Sequence, residues 1–248
     1  MPIALFTVID LETTGLEPPA SVIEIGVTRL YLDTETKAVE IKGPTSRLFR
    51  NREEMTPENI AVHHLTPAML AGYEFCEGSE LAEIVQEDRP QFIVAANASF
   101  EKKWLDTPEI IGVGLDGKAA FWICTVKAAA RLYPDAESHS NQAMRYRLGL
   151  DLPEHLAMPP HRAGPDSFVT AHILGRFLAD GVRVRDLVQW EREPRWMPRI
   201  RFGKHKGSEW IVLPDDYLQW LVAPAQAEMD PDVRHWATIE LERRRNAA

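Results

Sequence analysis

The chain has 248 residues, of which 45% are hydrophobic and 26% charged, enough apolar material for one sizeable core and a small second one in a soluble globular protein. Its two cysteines, Cys76 and Cys124, are too few for a disulfide framework or a paired-thiol metal site and read as buried thiols. No stretch reaches the run of about 18 apolar residues that a membrane span needs, and the start lacks a basic leader, so a cytoplasmic protein is expected. The net charge of −9 argues at first sight against a phosphate-rich partner. Residues from 182 onward hold 12 Lys+Arg against 11 Asp+Glu, however, so residues 1–181 carry a net −10. Bound divalent cations would cancel part of such a local field.

In chain order, Leu5 to Asp10 and Ser21 to Leu32 are apolar, β-branched runs separated by a turn-like Gly-Leu-Glu-Pro-Pro, which predicts two adjacent antiparallel strands. Thr56-Pro57 and Thr66-Pro67 each place a capping threonine before a proline at the first helical position, predicting two short helices. A third helix is expected over Ser79 to Gln86, then a buried strand over Phe92 to Ala96 and a helix from Ser99. Phe121 to Cys124 reads as a strand and Val126 to Tyr133 as a helix capped by Thr125. Helices are predicted over Ser140 to Leu148, with Gly149 following, and over Pro165 to Asp180, ended by Gly181. Strands followed by strand-helix alternation give an α/β fold with a mixed sheet between helices. Residues 182–198, with four arginines and two tryptophans but no clear periodicity, read as a connector. Residues 199–248 read as a small C-terminal region whose last helix opens at Asp230-Pro231 and runs toward Arg245.

Asp10 and Glu12 close the first strand, and the strand's period of two puts both carboxylates on one face. Two anions at the rim of a core call for a shared proton or a cation, and oxygen ligands favour Mg²⁺ or Mn²⁺ over zinc. Taken alone, such a pair is more often a solvated strand end. Two further segments add to it. Asn97 to Glu101 puts a carboxylate in the first turn of the helix after the Phe92 strand, and His161 to Asp166 puts an imidazole and an acid five positions apart at the start of another.

Val8 to Gly15, Asn97 to Glu101 and His161 to Asp166 resemble, in order and spacing, the three motifs of the DnaQ-type, or DEDDh, 3′-5′ exonucleases. Trp122 to Thr125, Ala130 to Pro134, Ser140 to Leu148 and the terminal Phe202-Gly203-Lys204 with Tyr217 to Leu221 resemble more narrowly the bacterial exodeoxyribonuclease X group, over nearly the whole chain. The resemblance implies a ribonuclease H-like, five-stranded mixed sheet and a DEDDh exonuclease domain over residues 1–181. It implies that Asp10, Glu12, Glu101 and Asp166 hold two Mg²⁺ ions, with Mn²⁺ as a substitute, and that His161 is the general base. Terminal phosphodiesters of DNA, single-stranded or at nicks and gaps, would be hydrolysed to 5′-mononucleotides, with no membrane and no obligate protein partner. Thr13 and the segment containing His63 and Leu65 would contact the terminal nucleotide, as would Asn97, and Phe100 would stack on a base. Core packing is the competing role for Phe100 and Leu65. Arg199, Arg201, Lys204, His205 and Lys206, flanked by Trp196 and Trp210, combine charge with aromatic faces and suggest a nucleic-acid holding surface, or else a structural cap.

The sequence departs from the family at two positions, with Glu101 where Asp is usual and Ala96 where His is usual. A longer side chain at 101 is expected to alter metal preference. The alternatives are an RNA-trimming exonuclease of the same superfamily, a polymerase proofreading subunit, and a nucleic-acid-binding homologue impaired by Glu101.

Overall fold

The computed structural model describes residues 3–112 and 119–247. In chain order they form β1 (Ile3–Thr13), β2 (Val22–Asp33), β3 (Val39–Leu48), α1 (Pro57–His63), α2 (Pro67–Leu70), α3 (Gly78–Gln86), β4 (Phe92–Ala95), α4 (Ala98–Leu105), α5 (Pro108–Ile111), β5 (Phe121–Cys124) and α6 (Thr125–Leu132). There follow α7 (Asn141–Arg147), α8 (Glu154–Ala157), α9 (Ala163–Ala179), α10 (Val184–Arg192), α11 (Asp215–Val222) and α12 (Pro231–Ala247). The sheet order is β3-β2-β1-β4-β5, antiparallel among the first three and parallel from β1 to β5.

β1 is central and apolar on both sides because helices cover both faces. Phe6 and Val8 point to one face, where Leu30, Val94 and Ile123 meet Phe168, Leu174 and Phe177 of α9. Ile9 and Leu11 point to the other, against Leu81 and Val85 of α3 and Leu105 of α4. Asp10 and Glu12 continue the parity of Phe6 and Val8, so the strand aims its two acids toward the start of α9. That helix lies against β2 so closely that a Cβ on Gly26 would sit 1.9 Å from the backbone of Ala163. Gly26→Ala therefore forces helix and strand apart, and an overpacking loss of about 1–3 kcal/mol is expected in denaturant titrations.

Several predicted elements appear with small shifts, and others differ from the sequence reading. The fifth strand is β3, a half-exposed edge whose Gly43-Pro44 interrupts the apolar pattern; proline is accommodated at such an edge. Residues 182–198 are more than a connector. Val184, Leu187 and Val188 give one turn-spaced apolar stripe, and α10 lays it on the α9-facing core. Thr125 does not cap α6, because it is the first helical residue, buried, with Cys124 at the cap. Thr107-Pro108 repeats the threonine-proline start and opens α5, with Thr107 accepting from the Ile110 N–H. Beyond α10, Met197, Ile200, Trp210, Leu213, Leu218, Leu221 and Val233 gather in a separate apolar cluster. No helix among the described residues is long and apolar enough to cross a membrane.

Candidate active site

β1, α4 and α9 converge at the C-terminal end of the central strand. Side-chain oxygens of Asp10, Glu12 and Asp166 lie within 4.8 Å of one another. Asp166 sits in the first turn of α9, where its Oδ2 accepts from the His161 N–H at 2.7 Å and the Asn141 Nδ2 donates to its backbone carbonyl at 2.9 Å. Glu101 enters from the first turn of α4, 3% exposed, and its Oε2 is buried without a hydrogen-bond partner. It stands outside the group of three yet close enough for its charge to act on Asp10.

Burial is the main electrostatic fact here. It holds the Asp10 carboxyl well above the usual carboxylate range, with the charges of Asp166, Glu12 and Glu101 adding to the effect. Burial first and Glu24 second push Glu12 up to about 8, and burial pushes Glu101 up to about 8. Asp166 is raised as well, again by burial, with the His161 N–H opposing. Four carboxyls that resist ionisation, one with an orphaned oxygen, form a donor set of oxygens alone that fits divalent cations. Without cations, Glu12 and Glu101 stabilise the fold fully below their ordinary value of 4.5, and that contribution is lost as pH rises through about 8. The melting temperature in chelator should thus fall between about pH 5 and pH 8.5, and Mn²⁺ at pH 8 should restore it; thermal melts with and without the ion check this.

A cleft of about 480 Å³ opens beside the acids. Asp10, Glu12, Glu101, Asp166 and His161 line it together with Thr13, His63, Asn97 and Phe100. His161 is exposed and held in a left-handed backbone conformation, φ 59°. The His63 Nδ1 accepts from the Leu65 N–H at 3.0 Å, and burial lowers its pKa, so a neutral ring carries its proton on Nε2, which has no partner. Phe100 packs against Trp104, ring centroids 4.7 Å apart, while its surface reaches the cleft. The Thr13 hydroxyl donates to the Gly15 carbonyl, and the Asn97 Oδ1 accepts from Ser99.

Leu65 is a correction. Its side chain is fully buried with Ile23, Met55 and Leu70, off the cleft, because α1 and α2 need an apolar anchor where they meet β2. Leu65→Ala is expected to cost about 2–5 kcal/mol of stability, read by denaturant unfolding, as cavity-forming core truncations do. The basic surface is also divided. Arg199 pairs with Glu209, and half-buried Arg201 donates to the carbonyls of Pro134 and Ala136, whereas Lys204 and Lys206 are exposed. Val62, in the expected substrate-contacting segment with His63, lines the cleft, whereas Asn59 and Leu16 as cleft residues and Asn141, Glu24 and Arg162 as supports were not singled out from sequence. The signal for Glu24 was present: one acid inside an otherwise apolar, β-branched strand.

A mixed sheet whose central strand ends in clustered carboxylates beside an open cleft is an arrangement suited to metal-assisted hydrolysis. The chain belongs to the RNase_T exonuclease family, whose model matches residues 7–174, and so to the DnaQ-like 3′-5′ exonucleases. It is 29% identical to Exodeoxyribonuclease 10 of Escherichia coli strain K12 over 234 residues, covering 93% of this chain and 96% of that one. A solved structure of Exonuclease X in complex with 5′ overhanging duplex DNA matches 75% of this chain and 98% of its own, with a TM-score of 0.56 and 25% identity. The nuclease domain of 3′hExo, a DEDDh family member, bound to rAMP, matches 71% of this chain and 92% of its own with a TM-score of 0.50; at 20% identity it supports the fold alone. The ribonuclease H-like sheet expected from the motifs is the sheet observed, and the family's use of divalent metals meets a suitable acidic cluster here.

Proposed function

We propose that this chain hydrolyses the terminal phosphodiester of DNA from the 3′ end, releasing 5′-mononucleotides, with two Mg²⁺ ions that Mn²⁺ can replace. The observation that carries the reading is the convergence of Asp10, Glu12 and Asp166 within 4.8 Å, with the orphaned Glu101 oxygen beside them. These four residues would hold the ions. Once bound, divalent cations supply charge compensation for the phosphoryl group and lower the pKa of the attacking water.

His161, exposed on the cleft wall, takes the proton of that water. Water oxygen bonds to the last phosphorus as the bond to the preceding 3′ oxygen breaks, and that oxygen takes a proton from solvent to become the new 3′-hydroxyl. The His63 Nε2–H offers a donor to the terminal nucleotide, and Thr13, Asn97 and Phe100 flank it. Leu16, 74% exposed, and Val62, 49% exposed, add an apolar rim suited to base faces of any sequence. Residues 1–181 act as the catalytic domain in this reading, and residues 199–248 hold nucleic acid through Lys204 and Lys206.

The test uses 5′-labelled DNA and RNA oligonucleotides of one sequence, with Mg²⁺ or Mn²⁺ and with chelator. A metal-dependent ladder shortening from the 3′ end, faster on DNA, is expected. A faster ladder on RNA would transfer the reading to RNA trimming, and binding without any ladder would favour an impaired homologue. Glu101→Asp gives a direct check on the latter, because a large gain in rate would mean that the longer side chain holds its carboxylate out of place.

A further inference from the structure

Glu24 lies near the start of β2, 1% exposed, directly across from Glu12 in the antiparallel ladder. Partners in register point to the same face, so a third carboxylate stands beside the acids of β1 on the side facing α9. An unpaired charge there would be costly and would repel Glu12. Arg162 meets it with a two-pronged contact, Nε to Oε2 at 2.8 Å and a terminal guanidinium nitrogen to Oε1 at 3.0 Å. The Ala163 N–H donates to Oε2 as well, at 3.2 Å. One carboxylate therefore grips both a side chain and the backbone at the point where α9 begins. Residues 162 and 163 lie between His161 and Asp166, and α9 touches β2 two residues farther along, at Gly26.

We propose that Glu24 and Arg162 form a positioning clamp that sets the first turn of α9, and with it His161 and Asp166, against the acids of β1. Neither residue is catalytic; the pair acts through the two that are placed by it. The grip is built for geometry more than for stability. A buried ion pair adds little net stability over apolar side chains, whereas a bidentate fork fixes direction as well as distance. The loop needs such a constraint, because the left-handed His161 and the His161 N–H bond to Asp166 hold only if the chain enters the helix at one angle. The clamp also screens charge, since Arg162 is the positive group that counters Glu24 at Glu12.

The kinetic part of the test rests on the exonuclease reading, and the metal-binding part does not. Arg162→Lys keeps the charge and removes the fork, while Glu24→Gln with Arg162→Gln replaces the charged grip by a neutral amide pair. Mn²⁺ affinity by calorimetry, kcat and KM on a DNA oligonucleotide, and the melting temperature are measured for both. Arg162→Lys should weaken Mn²⁺ binding about tenfold and lower kcat by about 10- to 100-fold, as outer partners of metal ligands do, with KM and melting temperature near wild type. The amide pair should show the same losses. Wild-type Mn²⁺ affinity and kcat in both variants would overturn the clamp, as would losses matching the unfolded fraction. If wild-type protein cuts neither DNA nor RNA, the exonuclease reading falls and the Mn²⁺ affinity ratio still decides the clamp.

Discussion

Asp10→Asn should leave less than about one-thousandth of the exonuclease rate, while melting at a higher temperature than wild type in metal-free buffer at pH 8. Both halves follow from the same burial. Asp10 stands among Glu12, Glu101 and Asp166, and its carboxyl is held well above the usual range because ionisation there is opposed by burial and by the like charges of Asp166, Glu12, Glu101 and Glu24. An amide removes the repulsion and gives the apo fold back what the charge takes from it. It also removes a negative ligand from the middle of the site, and a loss of about 4 kcal/mol of transition-state stabilisation corresponds to that thousandfold drop. Parallel single-turnover assays and thermal melts measure the two effects. A rate within tenfold of wild type would show that Asp10 is not a ligand, and a lower melting temperature would contradict the electrostatic account.

The second large effect is expected at His161. His161→Asn should slow the chemical step by about 10²- to 10⁴-fold, the range for loss of a positioned general base, with Mn²⁺ affinity unchanged. Asparagine is chosen because it tolerates the left-handed backbone, so the His161 N–H stays on Asp166. The imidazole itself lies on the exposed wall of the cleft, apart from the three-acid group. A variant with wild-type kcat would move the base elsewhere, and one with weakened Mn²⁺ affinity would show that the substitution disturbs the acids.

Much of this site was legible because its signals are local. A strand's alternation fixed the common face of Asp10 and Glu12, and threonine-proline pairs marked the starts of α1 and α2 before any packing was known. The spacing of His161 and Asp166 placed one in a loop and the other in a helical first turn, as observed. What remained hidden depends on neighbours distant in sequence. β3 is an edge strand whose partner supplies its reason to exist, and α10 has only a short apolar stripe that becomes meaningful against the core. Leu65 could not be told from a cleft residue by sequence, since only the approach of Ile23 and Met55 makes it core. Arg201 read as part of a nucleic-acid holding surface or a structural cap, and only the folded chain shows the carbonyls of Pro134 and Ala136 as its internal partners. Glu24 is the instructive intermediate: its oddity within an apolar strand was visible, but its partner lies 138 residues away.

The most direct test of the account is anomalous diffraction from a crystal soaked in Mn²⁺ near neutral pH. Two peaks among the carboxylates of Asp10, Glu12, Glu101 and Asp166, absent in the Asp10→Asn protein, are the predicted result. Full-occupancy manganese elsewhere, with none among these four residues, would contradict it.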